Sequence, residues 1–151
     1  MTTTLKQTLH ALCLQQVQQR IDTARLAMEH AQAAANQEGK SSAGDKYETG
    51  RAMMQLERDQ HARSLAEAQK LRQALEAIVP TRQSKQVQPG SLVRTSGGNF
   101  YLAVSLGRLV VQGTDYMAIS PITPMGALLM GKGAGDHFVF NQRKVVVLEV
   151  L

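Results

Sequence analysis

Two long stretches of the chain carry apolar or aromatic residues at spacings that are mostly three and four. The first stretch has Leu5, Leu9, Leu12, Val17, Ile21, Ala24, Met28, Ala31 and Ala35 at these positions. The second has Tyr47, Met54, His61, Leu65, Ala68, Leu71, Leu75 and Ile78. This spacing places one narrow stripe along a helix. The pattern therefore predicts two amphipathic helices, over about 3–38 and 44–79.

A narrow stripe suits one helical neighbour better than a broad core, so we expect the two helices to pack antiparallel as a coiled-coil hairpin. Residues 39–46 would form its turn, with Gly39 as the left-handed cap of the first helix. Pro80 is expected to stop the second helix, because it cannot continue the backbone hydrogen bonding. The polar TRQSKQVQP that follows has no apolar period and indicates a linker.

The pattern changes beyond the linker. Six short runs are rich in β-branched or aromatic residues, and they predict strands: SLVRT, NFYLAVS, RLVVQG, DYMAIS, HFVF and KVVVLEV. SGGN and QGTD are typical of hairpin turns. Pro124 to Met130, followed by Gly131, has the punctuation of a short helix. The prediction is an α+β chain with a hairpin at 1–79 (tip at 39–48), a linker at 80–89, and an antiparallel sheet domain with one short helix at 90–151.

Composition and charge narrow the function classes. The chain is 43% hydrophobic but only 4% aromatic and has no Trp, which argues against a base-stacking platform. Residues 1–79 carry 10 Lys and Arg against 9 Asp and Glu, while residues 80–151 carry 7 against 3, so the net charge of +5 lies mostly in the second half. That excess favours an acidic partner. We expect a cytoplasmic chain, because neither a secretory leader nor a membrane span is evident.

The chain's lone cysteine and its histidines give no metal pattern. Cys13 lies beside Leu9 and Leu12 and is expected to be a buried small hydrophobe. The four histidines show no close ligand spacing with it, which argues against zinc.

The turn between the helices, GKSSAGDKYETG, holds two acids, Asp45 and Glu48. A step of three on a helix puts both carboxylates on one face, within reach of one hard cation such as Mg²⁺. The same two residues also fit a capping box, with Asp45 as N-cap and Glu48 as its partner. If Ser42 is the N-cap instead, Asp45 becomes its partner and Glu48 is left free.

Two segments carry a resemblance to a known family. Gly44-Asp45-Lys46-Tyr47-Glu48-Thr49 is similar to the G-D-x-x-E-N tip motif of the bacterial transcript cleavage factors of the Gre type. TPMGALLMGKGAGD, Thr123 to Asp136, resembles the segment that precedes that family's last two strands. The resemblance spans nearly all of the chain.

The resemblance implies a coiled-coil hairpin followed by an FKBP-like domain, and a function in transcription elongation. The hairpin would enter the secondary channel of RNA polymerase, where Asp45 and Glu48 would help to hold a Mg²⁺ ion of the polymerase active centre. The polymerase would then cleave its own backtracked RNA, so the chain would be neither an enzyme nor the holder of a cofactor of its own. It would act as a monomer, contacting the RNA indirectly.

The sheet domain is the expected docking module of such a factor. The residues that we assign to polymerase contact are Thr123, Pro124, Met125, Leu129 and Lys132, with Met125 and Leu129 as apolar anchors. The alternative for both anchors is a place in the core.

Other functions remain open at this point. After Glu48 this chain continues Thr49-Gly50-Arg51-Ala52-Met53-Met54, where the family has a polar run. That departure favours a channel-binding regulator or inhibitor that does not stimulate cleavage. An FKBP-like prolyl isomerase would need an aromatic-lined pocket, and a coiled-coil adaptor would pair its stripes between two chains.

Overall fold

The structure is a computed structural model that describes the backbone of residues 2–41 and 45–151, and the side chains of 4–37 and 49–151. Its two long helices are α1, Thr2–Ser41, and α2, Asp45–Glu76, as the apolar period predicts. The expectation that Gly39 caps α1 is wrong, because α1 continues through Gly39 to Ser41. The proposed N-cap Ser42 lies outside the described residues.

All six predicted strands are confirmed. They are β1 (Leu92–Thr95), β2 (Gly98–Leu102), β3 (Gly107–Val111), β4 (Thr114–Ile119), β5 (His137–Phe140) and β6 (Arg143–Val150). The short helix α3, Pro124–Leu129, lies between β4 and β5, and Gly131 follows it with a φ of 80°. The fold class is α+β.

The strands form one six-stranded sheet in the order β3-β4-β2-β1-β6-β5. The expected antiparallel pairing holds except between β2 and β4, which run parallel because β3 intervenes between them in the chain. The predicted QGTD turn joins β3 to β4. The loop between them consists of Gln112 and Gly113, one residue earlier than the centre of QGTD, because Val111 pairs with Thr114. Both loop residues have positive φ (51° and 78°), as a type I′ hairpin requires.

By contacts the chain divides into two compact units: Val17–Arg72, here called the arm unit, and Met1–Gln16 with Gln73–Leu151, here called the sheet unit. In the arm unit the buried positions follow the predicted stripe and are small: Val17, Ile21, Ala24, Ala31, Ala35 and Ala68. The Arg72 guanidinium donates a hydrogen bond to Gln18 Oε1 and joins α2 to α1. Narrow alanine-rich contacts of this kind bury little apolar surface per residue.

The sheet unit has a larger core on one face of its sheet. Its members come from five elements and the segment before β1, and they are Val87, Val93, Phe100, Leu102, Leu129, Phe138, Val145 and Val147. Val87 belongs to the predicted linker, yet it is buried and its backbone exchanges hydrogen bonds with Lys132 O (2.8 Å) and Gly131 N (2.9 Å). The linker segment is therefore bound into the sheet unit.

The opposite face of the sheet packs against the first turns of α1 and the last turn of α2. Leu92 and Tyr101, neighbours on β1 and β2, are fully buried there, as are Leu9 and Leu75 from the helices. The central strands β1 and β2 are thus covered on both faces, which is why they contain buried residues at successive positions.

Candidate functional site

The candidate tip lies at the start of α2. Asp45 is the first residue of that helix, and Glu48 follows three residues later, within its first turn. Their side chains lie outside the described residues. The first turn of a helix also favours acids through its free N–H groups and dipole. The backbone is therefore compatible with both the metal-holding and the capping interpretations.

The helix behind the tip presents apolar side chains outward. Met53 is 61% exposed and Leu56 is 64% exposed, whereas Met54 is only half-buried. Gly50 is a helical residue, and glycine in a helix interior costs about 1 kcal/mol relative to alanine. The start of α2 therefore has two exposed apolar side chains, Met53 and Leu56, that follow a glycine in the helix.

The second candidate site is the turn between β4 and α3, residues 120–124. Thr123 is the N-cap of α3: its hydroxyl donates to Ser120 O (2.7 Å) and accepts from the Gly126 N–H (3.1 Å). The Thr123 N–H also donates to Ser120 O, at 3.1 Å. A Cβ added at Gly126 would lie 2.1 Å from the same carbonyl oxygen, so only glycine fits there. Two prolines flank this hydrogen-bonded turn and restrict it further.

The predicted docking residues divide between surface and core. Pro124 is exposed, Met125 is partly buried against the core, and Leu129 is fully buried. Leu129 therefore belongs to the core and is not available as a surface anchor. The exposed apolar side chain of the turn is Ile122, 90% exposed, which the sequence prediction did not include. The sequence signal for Ile122 was its position in a turn between two prolines, Pro121 and Pro124, where an apolar side chain has no helix or strand to pack in.

In residues 80–151 the acidic side chains all have partners, whereas most basic side chains form no ion pair. Each of the three acids in residues 80–151 is engaged: Asp115 with Arg108 (3.0 Å), Glu149 with Arg94 (3.3 Å), and Asp136 with the Gly133 N–H (2.7 Å). Within the described part of the chain, the basic residues without an ion pair there are Arg82, Lys85, Lys132, Arg143 and Lys144. The excess positive charge predicted for the second half is thus left available to an acidic partner.

A buried polar cluster joins the sheet to the base of α1. His10 Nδ1 lies 2.9 Å from the Tyr101 hydroxyl, and the imidazole also hydrogen-bonds the backbone of Leu75. Burial lowers the pKa of His10, against the raising effect of the Leu75 hydrogen bond. Burial has the opposite effect on the acidic hydroxyl of Tyr101 and raises its pKa. Within the sheet unit, this cluster joins the first turns of α1 to strand β2.

Lys6 and Cys13 complete the buried polar groups of α1. Lys6 is 1% exposed and its Nζ donates to Arg82 O at 2.7 Å, while burial lowers its pKa. Cys13 is fully buried, as its place beside the stripe predicts, and burial raises its pKa to about 11. A thiol with so high a pKa is protonated at neutral pH and is a poor nucleophile.

Among the side chains of residues 4–37 and 49–151, no group of three or more His, Cys, Asp and Glu is placed to hold a metal ion. No helix within those same ranges has the length and apolarity needed to cross a membrane. The chain is thus a two-helix hairpin followed by an α+β sheet unit. In that unit, hydrogen bonds hold the turn at residues 120–124, which exposes Ile122. No protein-family model matches the chain, and no curated protein matches it.

Proposed function

We propose that this chain is a transcription elongation factor of the Gre type, which binds RNA polymerase and stimulates the polymerase's own cleavage of backtracked RNA. The observation that supports the proposal is the start of α2 at Asp45, because Asp45 and Glu48 then both belong to the first turn of the second long helix. Metal-assisted cleavage would need carboxylates at the end of the hairpin that enters the polymerase, because Mg²⁺ is bound through few carboxylates and several waters.

The length of the helices supports this role. α1 has 40 residues and, at ~1.5 Å per residue, is about 60 Å long. The part of α1 within the arm unit, residues 17–41, is about 25 residues or ~37 Å long, a length suited to reach into a channel. The Mg²⁺ belongs to the polymerase in this proposal, and the chain supplies only the two carboxylates.

The turn at residues 120–124 would provide docking. Interfaces are dominated by a few apolar anchors surrounded by polar groups, and Ile122 is exposed on a turn that three hydrogen bonds hold in place. Lys132, at the other end of α3, forms no ion pair within residues 49–151 and is available to acidic groups of the polymerase. Because exposed charge contributes, affinity should weaken as salt is raised.

The second candidate is a regulator that occupies the secondary channel without stimulating cleavage. Met53 and Leu56 favour it, because exposed apolar side chains behind the tip would contact the channel wall where the family has polar residues. Tight binding through those side chains would hold the hairpin in place instead of presenting its acids.

The test is to add the purified chain to stalled, backtracked polymerase complexes and to score shortening of the RNA at its 3′ end. Magnesium-dependent cleavage above the polymerase's intrinsic rate supports the first function. Binding that displaces a known secondary-channel factor, without added cleavage at any magnesium concentration, supports the second. Absence of binding rejects both.

A matched pair of variants tests the docking turn. Ile122→Ser should weaken polymerase binding by about tenfold or more, as loss of a central apolar anchor does. Val139→Ser is the control, because Val139 is 65% exposed on β5, away from the turn in sequence and strand order. Equal affinities for the two variants would remove Ile122 from the interface.

A further inference from the structure

Between the first turns of α1 and one face of the sheet, the sheet unit contains an open cavity of about 670 Å³. Its lining residues are Thr4, Leu5, Thr8, Arg94, Val111, Gln112, Thr114, Tyr116 and Leu151. This volume is in the range of small-molecule sites, which are typically ~300–1,000 Å³. The strand register puts Arg94, Val111, Thr114 and Tyr116 on the same face of the sheet, so these four residues line the cavity from one side.

Tyr116 lines the cavity and is a buried tyrosine whose hydroxyl is unpaired within the described residues. It is 4% exposed, yet its hydroxyl has no hydrogen-bond partner among the described residues. Among the described residues, every fully buried side-chain oxygen or nitrogen has a hydrogen-bond partner. The Tyr116 hydroxyl has none among those residues, so it is not fully buried and borders the cavity that Tyr116 lines. A buried tyrosine ordinarily pairs its hydroxyl. Tyr101, on the neighbouring strand β2, does so with His10 at 2.9 Å.

Arg94 supplies a positive group to the same cavity. Its Nε lies 3.3 Å from Glu149 Oε2, and this is its one polar contact within residues 49–151, which leaves the outer nitrogens of the guanidinium free. A guanidinium presents a planar fork of donors that matches a carboxylate or phosphate. Arg94 and Tyr116 are two strands apart across β2, roughly 10 Å at the backbone, since adjacent strands are ~4.8 Å apart.

The rest of the lining fits the same ligand chemistry. Thr4 belongs to the first turns of α1, where the helix dipole favours a negative group. Leu5 and Val111 offer apolar surface beside the donors. Donors that converge on a partly apolar cavity match a small molecule with an anionic head and a short apolar body.

We propose that this cavity is a binding site for a small organic anion. The carboxylate or phosphate of the ligand contacts the free guanidinium nitrogens of Arg94 and accepts a hydrogen bond from the Tyr116 hydroxyl. The ligand's apolar body lies against Leu5 and Val111. The site is separate from the tip and from the docking turn, and it does not depend on the function proposed above.

The test is an NMR titration of the full-length chain with butyrate, n-butyl phosphate and, as a neutral probe of the same length, n-butanol. The expected result is saturable shifts of the Arg94 side-chain and Tyr116 signals with butyrate or butyl phosphate and none with butanol. The better of the two anions identifies the head group. Saturation by inorganic phosphate with equal affinity would remove the apolar part of the proposal.

Two variants and one control make the assignment specific. Arg94→Gln should weaken binding by about tenfold or more, through loss of charge-assisted hydrogen bonds. Tyr116→Phe should weaken it several-fold and leave the melting temperature nearly unchanged, because the lost hydroxyl has no protein partner. Arg108→Gln removes a comparable ion-paired arginine whose strand register puts it on the opposite face, so it should leave affinity unchanged.

Three results would overturn the proposal. The first is no saturable shift with either anion at tens of millimolar, and the second is equal weakening by Arg94→Gln and Arg108→Gln. The third is unchanged affinity in a folded Tyr116→Phe variant together with unchanged affinity in Arg94→Gln.

Discussion

The arm unit and the sheet unit are stabilised by different means. In the arm unit the buried side chains are mostly alanines in a single stripe, and large apolar residues such as Leu26 and Leu56 remain exposed. In the sheet unit the buried residues include tyrosine, phenylalanine and leucine contributed by strands far apart in the chain. Helix propensity and local spacing therefore specify the arm, whereas non-local packing specifies the sheet unit.

The difference also separates the proposed tasks. A two-helix hairpin whose contact stripe consists mostly of alanines is narrow and suits a narrow channel. Its proposed functional residues, Asp45 and Glu48, would lie near the turn. The sheet unit has the hydrogen-bonded turn at residues 120–124, the unpaired positive charges and the cavity. The chain thus places the proposed chemistry in the locally specified unit and the proposed binding surfaces in the unit held by long-range contacts.

The largest contrast is expected from truncating one leucine in each unit. Leu102→Ala removes a fully buried side chain from the sheet core and should lower the free energy of unfolding by ~2–5 kcal/mol. Leu26→Ala removes a side chain that is 54% exposed and should change it by no more than ~0.5 kcal/mol. Urea denaturation of both variants measures this, and equal losses would refute the contrast.

A smaller loss is expected at the hydrogen-bonded turn. Gly126→Ala puts a methyl group where the Ser120 carbonyl lies, and overpacking of this kind costs ~1–3 kcal/mol. Gly97→Ala is the control, because its Cβ would have its nearest neighbours at 3.8 Å. Polymerase affinity should fall with Gly126→Ala as well, and a variant that keeps both stability and affinity would show that the turn tolerates displacement.

The smallest effect concerns the pH dependence of the sheet unit. The pKa of His10 is lowered on folding, so the unfolded chain takes up a proton more readily. The stability that follows from this is complete above the unfolded value of about 6.5 and is lost as the pH falls through it towards the lower folded pKa. Thermal melts at pH 7.5 and 5.5 should differ more for the natural chain than for His10→Gln, while exposed His137→Gln retains the difference.

The sequence predicts helices and strands well in both units because their periods are local properties. It misplaces the end of α1, since the helix continues through Gly39 despite the residue's preference for a cap. It also treats Val87 as part of a linker, because one apolar residue in a polar segment gives no period. The parallel pairing of β2 with β4 depends on how β3 folds out to the sheet edge, and no local pattern contains that information.

The candidate sites divide in the same way. Spacing alone selects Asp45 and Glu48, since both lie within one helical turn, and their role stays a prediction. It also selects Leu129, which the structure places in the core, and it omits Ile122, which lacks periodic neighbours. The cavity with Arg94 and Tyr116 brings together strands and a helix that are distant in sequence, so it emerges only from the folded chain.

The most direct test of the central claim is transcript cleavage by backtracked polymerase with the double variant Asp45→Asn/Glu48→Gln. The replacements keep much of the capping geometry but remove both negative charges, so binding to polymerase and thermal stability should change little. Cleavage above the intrinsic rate should be lost, because magnesium recruitment needs those charges. Unchanged cleavage accompanied by a lower melting temperature would show that the acids cap α2 and take no part in catalysis.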